Sequence, residues 1–349
     1  MNTKRMVQWT TVLMVMFFVI CGWGTPPAGA QQKVIELKFG GLWPPAHPFS
    51  EATKLWIAKI EKETDGRVKI KPYWAGALYK PRNSTTELAK GVADIGDYSG
   101  AYAPSGFDFE KAMRMAMWGV TDRHVMMKAW WDLLAKQSAL EEEHLRDGIK
   151  VMAWGPIGPY QLASHKPIRK LADFTGLTLK TTGDIAKLAA ALGATGTTIS
   201  MGETYLALQK RTVDGGFVTN ETLKSFKFAE VAKYVTQLNI ASAPSGHWGM
   251  SLKVFNSLPP DIQKVFVDNI RWFSEKISEL TFAVEDEGVA FAKQLGVEFI
   301  TLPKEDLNKI YGEVDKLVKS EMQKIDAKGI PGTAVYTDLR ALVDKYNRP

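Results

Sequence analysis

The chain has 349 residues, of which 44 are Lys or Arg and 38 are Asp or Glu, giving a formal net charge of +6. Charges of both signs are interspersed and no long basic block occurs, a pattern that argues against a nucleic-acid-binding protein. A chain of this length with 45% hydrophobic residues exceeds the usual size of a single core, which favours two domains.

The N-terminus has the three parts of a secretory signal peptide. Lys4 and Arg5 precede an apolar run at 12–20, and an Ala-Gly-Ala sequence ending at Ala30 forms the cleavage site. The apolar run is about ten residues long, whereas a membrane-spanning helix needs roughly 20. We therefore expect residues 1–30 to be removed by cleavage after Ala30.

Removal of the leader deletes Cys21, the only cysteine, so the mature chain cannot form a disulfide. A lipid anchor at Cys21 is disfavoured because the bulky Ile20 precedes it. An export signal on a cysteine-free chain indicates the bacterial periplasm. The mature chain loses Lys4 and Arg5 and keeps a net charge of 42 − 38 = +4, which favours anionic small ligands.

Strand-like and helical segments alternate after the leader, as expected for an α/β protein. In the first stretch, strands are predicted at 34–41, 68–74 and 92–99, and helices at 50–64 and 84–91. In a second stretch, strands are predicted at 160–166, 177–182, 197–201 and 213–219, and helices at 184–193 and 203–211. The remainder is predicted as a strand at 247–255, one long helix at 261–292, a strand at 297–302 and two terminal helices.

Two segments have the composition of linkers. The Gly-Pro-rich run at 155–159 separates the two stretches, and a second boundary is predicted at 241–246. More than one linker between two α/β halves indicates two hinged lobes with a ligand site in the cleft between them. The predicted domains are 31–154 with 244–275 for lobe I, and 155–243 with 276–349 for lobe II.

The sequence motifs of common enzyme sites do not occur. There is no G-x-S-x-G, G-x-G-x-x-G, phosphate-binding or H-E-x-x-H motif. None of the five histidines lies three or four residues from another, so a helical metal pair cannot form. We expect no metal, no cofactor and no catalysis. An exported enzyme that uses the cleft stays open as an alternative, because spacing alone cannot select a catalytic pair among the many carboxylates.

Four stretches, in order and behind a signal peptide, form a recognisable set. They are LWPPAHPFSEATKLWIAKIEKETDGRVKIKPY (42–73), ELAKGVADIGDYSGAYAP (87–104), LADFTGLTLKTTG (171–183) and ISMGETYLALQKRTVDGG (199–216). Together they resemble the solute-binding receptors of tripartite ATP-independent periplasmic (TRAP) transporters, the DctP type. The resemblance implies the α/β, two-lobed periplasmic binding protein fold, with a hinged interlobe cleft and a long helix linking the lobes.

The resemblance also implies a function. Such receptors close around an organic acid and deliver it to the membrane subunits of the TRAP permease. A different cargo on the same scaffold, such as a dicarboxylate, an amino acid or a sugar acid, stays open, as does a sensory role. The long helix is expected to pack on its own lobes, so the receptor is predicted to be a monomer.

Two departures from the family pattern bear on the ligand. Lys180 stands where most of these receptors have an arginine that forks onto the ligand carboxylate, and a lysine offers only a point charge there. After the VDG motif, Phe217 belongs to an apolar segment where relatives commonly have polar residues, and it is predicted equally as a core residue of the lobe or as a ligand contact. These features predict an aromatic or hydrophobic carboxylate as ligand.

The predicted ligand-binding residues follow from the same resemblance. Lys180 is the charge partner, and Thr181, Ser99 and Asn220 are the hydrogen-bonding candidates. Aromatic residues at the predicted cleft loops complete the set: Trp43, Tyr102, Tyr160 and Phe217 as walls, with Trp74 and Trp248 as weaker candidates.

Overall fold

The computed structural model describes residues 33–120, 122–183 and 185–347. The predicted signal peptide lies outside the described residues. The strands are β1 (Ile35–Gly40), β2 (Val68–Tyr73), β3 (Ile95–Asp97), β4 (Met117–Trp118), β5 (Ile149–Gly155), β6 (Tyr160–Ser164), β7 (Thr178–Thr181), β8 (Thr195–Thr198), β9 (Gly215–Val218), β10 (Tyr234–Ala241), β11 (Ser245–Ser251) and β12 (Glu298–Thr301).

Helices surround these strands and carry several of the loops at the cleft. They are α1 (Pro48–Glu63), α2 (Ser84–Lys90), α3 (Asp108–Ala112), α4 (Arg123–Leu134), α5 (Ala139–Arg146), α6 (Ile185–Ala191), α7 (Met201–Gln209), α8 (Thr222–Ser225), α9 (Phe228–Val231), α10 (Leu252–Ser257), α11 (Pro260–Asp268), α12 (Ile270–Gln294), α13 (Lys304–Asp326) and α14 (Gly332–Tyr346). Within the described residues, no helix is both long and apolar enough to cross a membrane.

The first sheet has the strand order β2-β1-β3-β11-β5. Its first three strands are parallel, and β11 runs antiparallel to both β3 and β5. Inward-facing apolar side chains of this sheet pack against α1 and α12, where the Trp56 and Phe273 rings stack with centroids 4.7 Å apart. This packing gives the first lobe its own core.

The second sheet has the order β12-β10-β6-β9-β7-β8, and β4 pairs with β10 beside it. The pair formed by β7 and β9 is parallel and places Lys180 opposite Gly216. The antiparallel pair of β6 and β9 places Leu162 opposite Phe217. Because β7 and β9 run in the same direction, the loops that follow them lie at one edge of the sheet.

The two predicted linkers connect the two sheets. Residues 156–159 join β5 of the first sheet to β6 of the second, and 242–244 lead from β10 back to β11. The helix α12 contacts α1 and β5 on one side and α8 on the other. The chain therefore has the predicted two-lobed α/β architecture with a long helix between the lobes.

The domain boundaries given above stay a prediction, and one strand bears on them. The segment 113–118 falls in lobe I by those boundaries, yet β4 adds to the second sheet through Met117 and Trp118. A segment that precedes the predicted linker at 155–159 therefore already pairs with a strand of the second sheet.

Three element predictions differ from the structure. The predicted helix at 261–292 is two helices, because Asn269 breaks it and its Nδ2 donates hydrogen bonds to Glu63 (2.6 Å) and to the Val265 carbonyl (2.9 Å). The predicted strand at 247–255 ends at Ser251, where α10 follows directly. The sequence pattern around residue 269 looked continuous because the apolar face continues across the break.

The third difference concerns the strand predicted at 197–201. The observed strand β8 ends at Thr198, and Ser200 caps α7, as the spacing of Ser200 and Glu203 in the sequence predicts. Its hydroxyl donates a 2.5 Å hydrogen bond to Glu203, and its backbone N–H donates to the same carboxylate at 3.3 Å. The capping box therefore begins the helix at Met201, two residues earlier than the predicted start at 203.

Candidate functional site

Lys180 lies near the end of β7 with a side chain that is 0% exposed. Its Nζ is 3.4 Å from the Phe217 carbonyl oxygen and 3.9 Å from the Met201 sulfur. Within the described part of the chain, no carboxylate oxygen lies within 4.0 Å of this amine. Burial and, to a smaller extent, the charge of Arg114 together lower the pKa of Lys180 to about 7.

Arg114 is the second buried basic residue of the site. It belongs to a 3-10 turn, Met113–Met115, that follows α3, and it is 7% exposed. Its Nη2 donates a 2.5 Å hydrogen bond to the Tyr160 hydroxyl and reaches Thr182 Oγ1 at 3.4 Å. Among the described residues, its Nε has no hydrogen-bond partner. Burial disfavours the charged form of Arg114 and lowers its pKa. Interactions with Tyr160, Tyr102 and Glu110 outweigh this effect and raise the pKa above its ordinary value.

The sequence reasoning missed Arg114. The sequence contained one indication of a role for Arg114. It is a single arginine inside the apolar segment AMRMAMW (112–118), and burying an unpaired charge among apolar residues costs free energy. No family motif named above includes this position. A buried arginine with a free Nε and no ion pair within the described residues is a candidate for binding an anion.

Strand alternation separates the predicted residues into two faces. Gly216 lies against Lys180, since a Cβ on Gly216 would be 2.9 Å from the Lys180 Cβ. Thr182 is two positions from Lys180 and contacts Arg114, so Lys180 and Arg114 share a face of the sheet. Thr181 points the other way, where its Cγ2 would be 3.1 Å from a Cβ on Gly196.

Phe217 also lies on the face opposite to Lys180. Its side chain is 1% exposed and packs in the hydrophobic core with Leu162 and Leu179. Only its carbonyl oxygen reaches the Lys180 amine. The structure therefore places Thr181 and Phe217 in the interior of the second lobe, because neighbouring residues of a strand alternate between its faces.

Of the two predicted tyrosines, Tyr160 contacts Arg114, and Tyr102 lies within reach of its charge. Tyr160 begins β6, and its ring centre is 5.9 Å from the Arg114 guanidinium carbon. Tyr102 lies in the 3-10 turn Gly100–Tyr102 of the first lobe and is half-buried. Burial raises the pKa of Tyr102, Arg114 lowers it, and Glu203 raises it, so charged groups of both lobes act on this hydroxyl.

Glu110 supports the turn that carries Tyr102. Its Oε1 accepts a 3.2 Å hydrogen bond from the Ala101 backbone N–H, and its Oε2 has no partner. Burial raises the pKa of Glu110 to about 7, against the lowering effect of Arg114. The turn is tightly packed, because a Cβ on Gly100 would lie 2.6 Å from Glu110 Oε2. Ser99 precedes this turn, and its backbone N–H donates to Ser84 Oγ at 3.1 Å.

The two lobes also approach each other at two further points. A Cβ on Gly183 would lie 3.6 Å from the Ala101 carbonyl oxygen. Trp43 stacks on His47 with ring centroids 4.5 Å apart and meets Phe226 of the second lobe edge-on at 6.5 Å. Trp43 therefore lies close to the second lobe, and its contact with a ligand stays a prediction.

Of the other predicted aromatic residues, Trp248 belongs to the core of the first lobe and the half-buried Trp74 packs against that core. Trp248 is fully buried and donates a 3.2 Å hydrogen bond from Nε1 to Thr53. Trp74 packs on Phe39 with ring centroids 5.6 Å apart.

Asn220, the remaining polar candidate, follows β9. Among the described residues, its Oδ1 has no hydrogen-bond partner, and its carbonyl oxygen contacts Gly288 of α12. Within the described residues, no group of three His, Cys, Asp or Glu side chains could hold a metal ion.

The model of bacterial extracellular solute-binding protein family 7, DctP, matches residues 39–325 of this chain. The chain belongs to the DctP family of TRAP solute-binding receptors. A curated relative from Haemophilus influenzae is 28% identical over 181 residues, which are 51% of this chain and 55% of that protein. The match therefore spans about half the length of that relative.

Solved structures support the same fold for this DctP receptor. A TRAP periplasmic solute-binding protein from Desulfovibrio salexigens, in an open complex, is 29% identical with a TM-score of 0.76, covering 89% of this chain and 96% of that one. A Bordetella bronchiseptica protein with bound mandelate is 23% identical with a TM-score of 0.77, covering 89% and 99%. A Sulfitobacter protein with bound β-D-galacturonate is 18% identical with a TM-score of 0.73, covering 88% and 99%.

Family membership confirms the predicted receptor class. The family and the structural neighbours are periplasmic solute-binding receptors, and TRAP receptors bind small organic acids and work with membrane permease components. The acids named for the two ligand-bound neighbours differ widely in polarity. The fold alone therefore leaves the ligand to be argued from the side chains of this chain.

Proposed function

We propose that this DctP receptor binds an aromatic or hydrophobic monocarboxylate between its lobes and delivers it to a TRAP permease. The observation that carries the proposal is the pair of buried basic side chains, Arg114 and Lys180, neither of which has a carboxylate within 4.0 Å in the described residues. Burying a charge such as that of Arg114 without a counter-charge is unfavourable. A ligand carboxylate would supply that counter-charge and would favour the charged form of Lys180.

The two cations would divide the recognition of the carboxylate. Arg114 has a fixed fork of donors, and its unpartnered Nε adjoins the Nη2 that Tyr160 already orients. Lys180 offers a single point charge whose two present neighbours, a carbonyl and a sulfur, are weak partners for an ammonium. Arg114 thus provides a pre-oriented donor that compensates for the missing arginine at position 180.

Aromatic side chains support the preference for an apolar ligand body. Tyr102 and Tyr160 flank Arg114, and Trp43 with Phe226 closes one side of the cleft. Such walls favour a ring or a branched chain over a second carboxylate. Ser99 and Asn220 stay candidates for polar contacts with the ligand, whereas Phe217 and Thr181 would act only through the packing of the second lobe.

The remaining steps follow from the two-lobed architecture. Ligand binding would shift the population toward a closed form that the permease recognises, with no chemical step. We further propose that the chain is exported to the periplasm, is cleaved after Ala30 and acts there as a monomer.

The test is a binding screen on the exported protein, purified from the periplasm and stripped of carried-over ligand. The panel contains mandelate, benzoate, branched-chain carboxylates, succinate, galacturonate and amino acids, and the readouts are thermal shift and titration calorimetry. A ligand that binds only the folded state must raise the melting midpoint. The proposal expects stoichiometric binding of an aromatic or hydrophobic acid. Binding of succinate or galacturonate alone would contradict the ligand class, and turnover of any acid would contradict a pure receptor.

A further inference from the structure

Lys180 has the surroundings of an amine that is neutral when the site is empty. It is fully buried, a carbonyl oxygen and a sulfur are its hydrogen-bonding neighbours in the described residues, and the like-charged Arg114 acts on it. Both the loss of water and the neighbouring cation disfavour the ammonium form. An arginine at the same position would stay charged under these conditions.

A bound anion would reverse this balance. A carboxylate beside Arg114 would lie on the same face of the second sheet as Lys180, because Thr182 brings Arg114 to that face. Its negative charge would favour the ammonium, and its oxygens would accept hydrogen bonds that the Phe217 carbonyl and the Met201 sulfur satisfy poorly. Binding of the anion and protonation of Lys180 would thus be mutually favourable.

We infer that this receptor captures its organic anion together with a proton, which Lys180 accepts from solvent as the ligand binds. The inference rests on the proposed function, since an anion must occupy the site. The one bond that forms is the N–H bond of the protonated amine, whose proton comes from solvent, and the ligand is chemically unchanged. The ammonium and the carboxylate together carry no net charge.

The titratable groups that interact electrostatically with Arg114 or Tyr102 do not replace Lys180 in this role. Tyr102 stays protonated, since burial raises its pKa, and His247 stays neutral, since burial lowers its pKa to about 4. Glu203 at the start of α7 stays ionised, since hydrogen bonds from Ser200 lower its pKa. Glu110 has a pKa raised to about 7 by burial, and an anion near Arg114 would raise it further, so it adds proton uptake of the same sign.

The direction in which ligand affinity changes with pH follows from the coupling between ligand binding and protonation of Lys180. Burial places the pKa of Lys180 at about 7 in the empty site, and the anion raises it. Affinity for an ionised carboxylate is therefore nearly constant below pH 7 and falls above it, by about tenfold between pH 6 and pH 8 for one coupled proton. Simple carboxylic acids stay ionised throughout this range, so the ligand itself contributes no slope.

The experiment is titration calorimetry with benzoate and mandelate at pH 6 and pH 8, in two buffers of low and high ionisation enthalpy. We expect uptake of close to one proton per ligand at pH 8 in the wild type. Lys180→Arg should bind the acids with a shallower pH slope and a smaller uptake, and Lys210→Arg, an exposed lysine, should match the wild type. Glu110→Gln removes the Glu110 carboxylate and so measures how much of the proton uptake comes from this residue. Two results at pH 8 would overturn the inference while leaving the receptor function intact. One is binding of either acid to the wild type without proton uptake, and the other is an uptake by Lys180→Arg equal to that of the wild type.

A ligand-free measurement decides the inference even if neither acid binds. A lysine that is neutral in the folded state and charged in the unfolded state makes folding release a proton, so stability rises with pH from about 7 to about 10. The melting midpoint of the wild type should therefore rise relative to that of Lys180→Met as the pH increases over this range. A constant difference would show that Lys180 is already charged in the empty site, and the inference would be wrong.

Discussion

Arg114 and Tyr160 are 46 positions apart in the chain, yet Nη2 of Arg114 donates a 2.5 Å hydrogen bond to the Tyr160 hydroxyl. Arg114 comes from a turn after α3, and Tyr160 begins the first strand after the predicted linker at 155–159. The bond therefore ties the charged centre of the candidate site to the point where the chain enters the second sheet. It fixes the direction of a guanidinium whose Nε is free.

Replacing Arg114 should remove most of the anion binding. Arg114→Met keeps a long apolar side chain but deletes the fork, and a hydrogen bond to a charged group contributes about 1.5–3 kcal/mol, or roughly a 10- to 150-fold loss of affinity. Titration calorimetry with the best acid of the screen measures the loss. Arg271→Met, which removes an exposed guanidinium that lies over the Trp131 ring, is the matched control for the affinity. Equal affinities of Arg114→Met and the wild type would exclude Arg114 from the site.

Removing the Tyr160 hydroxyl should weaken binding without abolishing it. Tyr160→Phe leaves Thr182 at 3.4 Å as the acceptor for Nη2, so we expect a loss of about 0.5–1.5 kcal/mol in binding free energy. In the double variant with Arg114→Met, the effect of Tyr160→Phe should largely vanish, because the hydroxyl acts by orienting the guanidinium. Fully additive losses would instead indicate that Tyr160 contacts the ligand directly.

The alternation along β7 predicts opposite outcomes at adjacent residues. Lys180→Met should lower the affinity for the acid at least several-fold, whereas Thr181→Val should leave it within about twofold, because Thr181 faces the interior with Gly196. Phe217→Leu should lower the free energy of unfolding by about 1 kcal/mol with little change in affinity. Calorimetry and thermal melts of the three variants separate these effects. A large affinity loss in Thr181→Val would contradict the assignment of the two faces.

The contact between Trp43 and Phe226 predicts an effect on closure. Phe226→Ala removes an edge-on aromatic contact between the lobes, of the kind that contributes about 0.5–1.5 kcal/mol. We expect a corresponding loss of ligand affinity and a larger radius of gyration in small-angle X-ray scattering at subsaturating ligand. A double-mutant cycle with Trp43→Ala isolates the pair, since each single variant also loses other packing. A coupling energy near zero would show that this contact does not stabilise the closed form.

Two glycines in long helices should respond oppositely to alanine. A Cβ on Gly288 of α12 would lie 2.0 Å from the Asn220 carbonyl oxygen, so Gly288→Ala must displace the loop after β9 and should destabilise the protein by about 1–3 kcal/mol. Gly312 of α13 has nothing within 4 Å of such a Cβ, so Gly312→Ala should stabilise by roughly 0.5–1 kcal/mol. Chemical denaturation measures both. A neutral Gly288→Ala would show that α12 and this loop are not in firm contact.

Much of the candidate site could be predicted, but not its geometry. The resemblance placed Lys180 at a strand end, adjacent Gly or Pro turns favoured Trp43 and Tyr102, and the linker at 155–159 predicted Tyr160 at the cleft. Arg114 carried no motif, because its function depends on a partner 46 positions away. Phe217 was predicted equally well as core or as ligand contact, since a short apolar strand shows no periodicity that tells its two faces apart.

The sequence by itself determined the alternation of strands and helices, the two linkers and the exchange of arginine for lysine at position 180, because these depend on local backbone preferences and on residue identity. Only the tertiary structure decided that Arg114 reaches Thr182, that Phe217 faces inward, and that Asn269 ends one helix and precedes the next. The physical reason is that strand pairing determines which face of each strand is buried and therefore which side chains lie on it. The charge next to Lys180 comes from an element that no local pattern connects to it.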